Sequence, residues 1–155
     1  MLARIQQAKD KDQGFTLIEL LVVIIIIGIL SAIAIPVFMN QSRKAVDQAA
    51  QADVSAIAKQ AATYFIDNDA DLTVTATNGQ YVFASTDITT TSEPIIVPMS
   101  DDEFTVAITP ATGQDGTNYT VTLTYDGGTE GDNATIAYNA ATGISGPTPA
   151  AGAGG

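Results

Sequence analysis

A long apolar run close to the N-terminus restricts the fold of this chain more than any other feature. No charged side chain occurs from Leu20 to Ser42, and twelve of the sixteen residues from Leu20 to Ile35 are Leu, Ile or Val. A helix over this length rises on the order of 30 Å, which is the thickness of the hydrocarbon core of a bilayer. The sequence therefore predicts a membrane-spanning helix.

One acidic residue, Glu19, stands at the start of this run. The twelve aliphatic residues each favour membrane insertion by roughly 0.3 to 0.6 kcal/mol, whereas one charged residue at mid-membrane costs about 3 kcal/mol, so insertion prevails. A carboxylate in apolar surroundings nevertheless calls for a partner. Since the span contains no Lys or Arg, that partner must be a chain terminus or another molecule.

The segment Gly14 to Glu19, with the sequence GFTLIE, resembles the processing site of type IV prepilins. The similarity extends over roughly Gln13 to Phe65. It implies that a membrane prepilin peptidase cleaves between Gly14 and Phe15, that the new Phe15 amine is N-methylated, and that residues 1–14 are a leader. It also implies the type IV pilin fold, in which a long N-terminal helix packs on a small globular head.

The resemblance supplies a partner for Glu19. In pilins the matching glutamate is thought to pair with the positively charged N-terminus of a neighbouring subunit, so Glu19 would pair with the Phe15 ammonium of a neighbour. An unpaired charge is costly in a low-dielectric environment, so this pairing would favour the correct axial register between subunits. Methylation of Phe15 would keep its positive charge.

Gly28 and Pro36 fall where type IV pilins usually carry a helix-loosening glycine and proline. Proline removes a backbone donor and clashes with the preceding turn, and glycine lowers helix stability by about 1 kcal/mol relative to alanine. We therefore expect a kink at Pro36 and a segment that bends or melts when subunits leave lipid for a filament. The alternative is that both residues are simply common in membrane helices.

Two other interpretations of the N-terminus remain open. The first is an ordinary secretory signal peptide cleaved at the small-x-small sequence Ala32 to Ala34, although the apolar run is longer than a usual signal-peptide core and begins with an acid. The second is a monomeric membrane-anchored binding domain in which Glu19 has no role. That interpretation leaves the GFTLIE segment unexplained.

The rest of the chain predicts an α+β fold, with a long N-terminal helix packed on a small antiparallel β-sheet. Apolar residues at spacings of three and four from Val46 to Phe65 continue the helix, which we expect from about Thr16 to Ile66. Asp47 and Asp53 are predicted to lie away from its apolar face. Alternating stretches separated by turn signals then predict one antiparallel meander. The predicted strands are Tyr81–Ala84, Ile95–Val97, Phe104–Ile108, Tyr119–Tyr125 and Thr135–Tyr138.

These elements predict four parts of the chain. They are a prepilin leader (1–14), a transmembrane and polymerisation helix (15–41), a globular head (42–145) and a disordered tail (146–155). The tail is assigned by its richness in Gly, Ala and Pro.

Charge and composition exclude several classes of function. The net charge is −11, and twelve acids but no Lys or Arg follow Lys59, so the head lacks the basic side chains that direct nucleic-acid binding needs. The chain has no His or Cys, and we expect neither enzyme activity nor a cofactor. No metal site is predicted, because Asp67 to Asp71 lacks the glycine of an EF-hand loop and Asp101 to Glu103 could hold calcium only with a distant carbonyl.

The sequence therefore predicts a structural subunit of a type IV pilus that forms a homopolymer with itself. Its partners would be a prepilin peptidase, an inner-membrane assembly platform and a separate motor ATPase, since the chain has no phosphate-binding glycine loop. The weakly positive leader would stay cytoplasmic, so the precursor would be a single-pass protein of the cytoplasmic membrane and the assembled filament would be extracellular. A minor pilin, or a pseudopilin of a type II secretion or DNA-uptake system, is the alternative.

Overall fold

The computed structural model describes residues 14–68, 70–85, 95–110 and 112–150. These residues form one helix and seven strands, and the chain divides into two compact units, Met1–Met39 and Asn40–Gly155. Residues 1–13 of the predicted leader lie outside the described residues. The elements are α1 (Leu17–Asp67), β1 (Leu72–Thr77), β2 (Gln80–Ser85), β3 (Ile96–Pro98), β4 (Thr105–Thr109), β5 (Thr120–Tyr125), β6 (Ala134–Asn139) and β7 (Gly143–Ile144).

Helix α1 confirms the predicted long helix, since its two ends lie within one residue of those expected from the sequence. It continues through Gly28 and Pro36 without leaving helical conformation. Among the described residues it is the one helix long and apolar enough, by length and composition, to cross a membrane. From Phe15 to Met39 its large apolar side chains are exposed. This part of the helix therefore has no apolar cover within its own unit.

The second unit contains two antiparallel sheets where the sequence predicted one meander. Their strand orders are β1-β2-β3 and β4-β5-β6-β7, and β1 lies beside β4 where the two sheets adjoin. The first sheet ends at β3. This strand is three residues long and pairs with β2 only from Gln80 to Val82. The ladder ends there, and the chain starts a new sheet at β4.

The five predicted strands are present as β2 to β6, with ends that differ by one residue from the prediction. Strands β1 and β7 were not predicted. In β1 the inward residues Leu72 and Val74 are buried while the alternating threonines are exposed, a half-buried pattern that the sequence does contain. Strand β7 has two residues, which is too short for any periodicity to indicate it.

The core of this unit lies between the C-terminal half of α1 and the inner faces of the sheets. Alternate residues of the strands point inward, as in β5, where Val121, Leu123 and Tyr125 are buried. The helix contributes the apolar face that its spacing predicts. Its buried apolar residues are Ala50, Val54, Ile57, Ala58, Ala61 and Tyr64.

The connections explain how the strands turn. Asn78 and Gly79 link β1 to β2 with φ values of 50° and 73°, the positive values that a two-residue type I′ hairpin requires.

Thr148 exchanges two backbone hydrogen bonds of 2.9 Å with Thr135 of β6. Thr148 of the predicted tail is thus paired with β6, and residues 151–155 lie outside the described residues.

Asp53 corrects the predicted position of an acidic residue. It is 4% exposed and lies on the buried face of α1. Its carboxylate accepts hydrogen bonds from the Tyr81 hydroxyl (2.8 Å), from the Ser100 N–H (2.9 Å) and from the Ser100 hydroxyl. Tyr81 belongs to β2 and Ser100 follows β3, so this carboxylate fastens the first sheet to the helix.

Asp47 plays the same part for the second sheet. Its carboxylate accepts hydrogen bonds from the Tyr125 hydroxyl (2.9 Å) and from the N–H and hydroxyl of Thr129. Gly128 lies close to both side chains. A Cβ added there would clash with the Asp47 carboxylate and would lie 2.7 Å from a ring carbon of Tyr125. The position therefore requires glycine because of space.

Gln114 joins the two sheets from the β4–β5 connection. It is buried, its side-chain oxygen accepts the Leu72 N–H (2.9 Å), and its side-chain amide donates to the Pro110 carbonyl. Within the described residues, no buried side-chain nitrogen or oxygen lacks a hydrogen-bond partner. Polar pairing of this kind compensates the cost of burying these groups.

The buried tyrosines predict a loss of stability at alkaline pH. Burial raises the pKa of Tyr119 to about 12, and burial together with hydrogen bonds to Asp53 and Asp47 raises the pKa of Tyr81 and Tyr125 above its usual value. Above about pH 10 an unfolded tyrosine loses its proton while the folded one keeps it. The unfolded state then binds fewer protons, so stability is undiminished below about pH 10 and falls as the pH rises through the folded pKa values.

This can be checked by following phenolate absorbance of the full chain in detergent micelles. We expect part of the absorbance to appear only together with loss of the circular dichroism of the folded state. In strong denaturant all five tyrosines should titrate near pH 10. Identical native and denatured titrations would contradict the assignment.

Candidate processing and assembly site

Gly14 and Phe15 precede the first turn of α1 and are exposed. The Phe15 side chain is 92% exposed, and a Cβ added at Gly14 would meet no atom within 4 Å. Among the described residues, no side chain covers the Gly14–Phe15 peptide bond. The predicted cleavage point lies just before the first residue of α1, outside regular secondary structure.

Glu19 and Thr16 form a capping box at the N-terminus of α1. The Thr16 N–H and the Thr16 hydroxyl each donate to Oε2 of Glu19 at 2.8 Å. In return the Glu19 N–H donates to the Thr16 hydroxyl oxygen at 3.3 Å. The first N–H groups of a helix have no partners within the helix, and this reciprocal pair satisfies two of them.

The sequence contained the signal for this cap, because Thr-x-x-Glu directly before an apolar run is the capping-box pattern. It was not identified from the sequence, where Glu19 was interpreted as a charge that awaits a neighbouring subunit. The structure adds that the carboxylate has a role within its own chain. Oε1 of Glu19 has no hydrogen bond among the described residues, so one oxygen serves the cap and the other is open.

The surroundings of Glu19 are apolar. A surface hollow at this end of the helix is lined by Phe15, Ile18, Leu20, Val22 and Val23 together with Glu19. These apolar side chains are all exposed. The carboxylate therefore lies at the edge of an exposed apolar surface. Contact of such a surface with water is unfavourable, so lipid or other apolar helices must cover it.

Gly28 and Pro36 lie farther along the same exposed helix. An added Cβ at Gly28 would meet no atom within 4 Å, so the absence of a side chain there is not required by packing within the single chain. Pro36 lies inside α1. The proposed flexibility of this segment stays a prediction.

The acidic segment Asp101 to Glu103, one of the two segments considered for calcium, forms a local turn. The Asp101 carboxylate accepts the Glu103 N–H at 2.9 Å. In the part of the chain that the structure describes, no group of three or more acidic side chains is placed to hold a metal ion. The geometry of the candidate site is that of a capped, exposed helix end.

Comparison with known proteins gives matches that agree with this geometry. Residues 9–35 match the family model described as the prokaryotic N-terminal methylation motif. The chain is 42% identical over 62 residues to the type II secretion system core protein G of Escherichia coli K12, covering 40% of this chain and 43% of the relative.

Two further relatives carry pilin names. Identity is 69% over 36 residues to the prepilin peptidase-dependent protein D of Escherichia coli K12, covering 23% of this chain and 25% of the relative. It is 36% over 66 residues to the type IV major pilin protein PilA of Myxococcus xanthus, covering 43% and 30%. The chain thus spans less than half the length of these relatives. No solved structure matches it.

Proposed function

Since this chain is a type IV pilin-like protein, we propose that it is the repeating structural subunit of a type IV pilus. The subunit is inserted in the cytoplasmic membrane as a precursor, cleaved after Gly14, methylated at Phe15 and polymerised through its N-terminal helix. Its machinery comprises a prepilin peptidase, an assembly platform in the inner membrane and a separate motor ATPase. The leader faces the cytoplasm, and the filament is extracellular.

The observation that carries this proposal is the uncovered apolar helix with a capped acid at its start. The exposed large apolar side chains from Phe15 to Met39 form a surface far beyond what a soluble monomer leaves in water. Lipid covers it in the precursor, and the helices of neighbouring subunits cover it in the filament. The same segment thus serves both states.

Glu19 gives this packing its register. Oε2 stays with the Thr16 cap while Oε1 accepts the Phe15 ammonium of the next subunit. Because one carboxylate holds both groups, the cap fixes the direction in which the open oxygen points. A subunit in the wrong register leaves both charges unpaired in apolar surroundings, which is costly.

The alternative within the same family is a pseudopilin of a type II secretion system. It is favoured by the identity of 42% to the core protein G of Escherichia coli K12. The two candidates differ in abundance and place: a major pilin dominates filaments sheared from the cell surface, whereas a pseudopilin is scarce in them. A membrane-anchored monomer is the candidate of another class, and it predicts no filament.

The first experiment is the intact mass and N-terminal sequence of the chain recovered from sheared surface material. We expect a chain that begins at Phe15 and carries one extra methyl group. A chain beginning at Met1 would favour the membrane anchor, and one beginning after Ala34 would favour an ordinary signal peptide. Either of these results would overturn the proposal.

A further inference from the structure

Charges of opposite sign occupy separate parts of this chain. After the proposed cleavage point the cationic side chains are Arg43, Lys44 and Lys59, and all three lie on α1. The strands carry no charged residue. The remaining described acids beyond the helix lie in the connections between strands.

The three cations do not pair with these acids inside the subunit. Among the described residues, none of their charged groups has a hydrogen bond or ion pair. The carboxylates nearest in sequence, Asp47 and Asp53, are already occupied by hydroxyl and amide donors. An unpaired cation on a chain of net charge −11 is available to another copy of that chain.

Lys59 differs from the other two cations because it borders a groove. The groove has a volume of about 260 Å³ and runs between α1 and the last strands of the second sheet. It is lined by Ser55, Ala58, Lys59, Ala62, Tyr138 and Ile144. Lys59 and Ile144 are exposed. Apolar walls lower the local dielectric, so a charge pair formed here is stronger than one on open surface.

The densest run of acids among the described residues lies in the connection between β3 and β4. Asp101, Asp102 and Glu103 are consecutive and exposed, and they are separated from β3 by two residues and from β4 by one residue. The Asp101 carboxylate accepts the Glu103 N–H within this segment. Asp102 makes no hydrogen bond within the described residues. Because the sheets adjoin through β1 and β4, the order of strands across both is β3-β2-β1-β4-β5-β6-β7. The groove borders β6 and β7 at one end of this order, whereas the acidic segment connects β3 at the other end with β4 in the middle.

We infer that the groove beside Lys59 binds the acidic segment 101–103 of a second copy of this chain. Two different surfaces meet in such a contact, and a contact of that kind gives an open helical filament where the rotation between copies does not close into a ring. It also places a cation against acids of the next copy, which offsets part of the repulsion between chains that each carry a net charge of −11. The inference rests on the proposed function, since it names a contact between the globular heads of two subunits in the filament.

The test compares two variants that each lower the net charge by one. Lys59→Gln removes the groove cation, and Gln51→Glu adds an acid at another exposed position of α1. We expect Lys59→Gln to give about tenfold less sheared filament, with normal amounts of processed chain in the membrane. Gln51→Glu and Lys59→Arg should assemble as the wild type does. Equal assembly of Lys59→Gln and Gln51→Glu overturns the inference.

A charge exchange makes the test specific for the acidic segment. Lys59→Glu and Asp102→Lys should each reduce assembly, and the double variant should recover most of the wild-type yield. If the double variant yields as little filament as the worse single variant, the pairing is overturned. The proposed function still stands in that case, provided that the wild-type chain forms filaments. If the wild-type chain is correctly processed and forms no filament, the proposed function and the inference both fail.

Discussion

Replacing Glu19 by alanine is expected to abolish filament assembly while leaving the precursor inserted in the membrane. The substitution leaves the Phe15 ammonium of the adjoining subunit without a partner in apolar surroundings. Removing one member of a buried charge pair typically costs about 3 to 5 kcal/mol, which is about two to four orders of magnitude in affinity at each subunit addition. Insertion itself becomes easier, because the acid that opposes it is gone.

The capping box makes a sharper comparison possible. Alanine at position 19 removes the two hydrogen bonds to Oε2 as well as the charge, while its N–H keeps the Thr16 hydroxyl as acceptor. Loss of an N-cap side chain, here that of Thr16, costs about 0.5 to 2 kcal/mol. Glu19→Gln keeps the capping pattern and removes only the charge. Thr16→Ala does the opposite, since it deletes the hydroxyl that donates to Glu19 and keeps the carboxylate. We expect Glu19→Gln to lose assembly as Glu19→Ala does, and Thr16→Ala to retain part of it.

The measurement is an immunoblot of sheared filaments beside the processed chain that remains in the membrane. The membrane pool reports insertion and cleavage, so it separates failed assembly from failed processing. Wild-type assembly of Glu19→Gln, with loss in Thr16→Ala, would show that the helix cap matters and the charge does not. The pairing with Phe15 would then have to be abandoned.

The parts of this structure that sequence could predict are those set by local pattern. Helix α1 is predicted by the apolar run and by apolar residues at spacings of three and four. Both patterns involve residues only one or two helical turns apart. The hairpin at Asn78 and Gly79 follows from the positive φ values that these residues tolerate. Such features need no knowledge of distant residues.

The division of the strands into two sheets depends on contacts between distant residues. Strand β3 pairs with β2 over only three residues, and β4 does not pair with β3 but begins the second sheet. The alternation within each strand does not indicate which strands pair with each other. Strand β1 is different, since its alternation was visible in the sequence. It follows the acidic stretch from Asp67 to Asp71, which suggested a solvated loop.

Acidic residues on the helix were misplaced for a related reason. A carboxylate is usually exposed, so Asp53 was expected on the polar side of α1. Its position three residues after Ala50 and four before Ile57 puts it on the buried face. Helical spacing alone would have found it. The partners could not be found, because Tyr81 and Ser100 are 28 and 47 residues away along the chain.

Replacing Asp53 by alanine is expected to destabilise the head more than any other single change of a polar residue described above. Alanine leaves the Tyr81 hydroxyl and the Ser100 N–H without the acceptor that they share. Hydrogen bonds to a charged group contribute about 1.5 to 3 kcal/mol each, and buried donors without a partner carry a desolvation penalty. We expect a loss of about 3 to 5 kcal/mol, a large part of the stability of a domain of this size.

Thermal unfolding of the full chain in detergent micelles, followed by near-ultraviolet circular dichroism, measures this loss. Asp132→Ala is the matched control, because Asp132 is exposed and makes no hydrogen bond within the described residues. Tyr81→Phe removes one donor and should lower stability less than Asp53→Ala. In the double variant the two losses should not add, because they share one interaction. If Asp53→Ala unfolds at the temperature of Asp132→Ala, the carboxylate does not hold the first sheet to the helix.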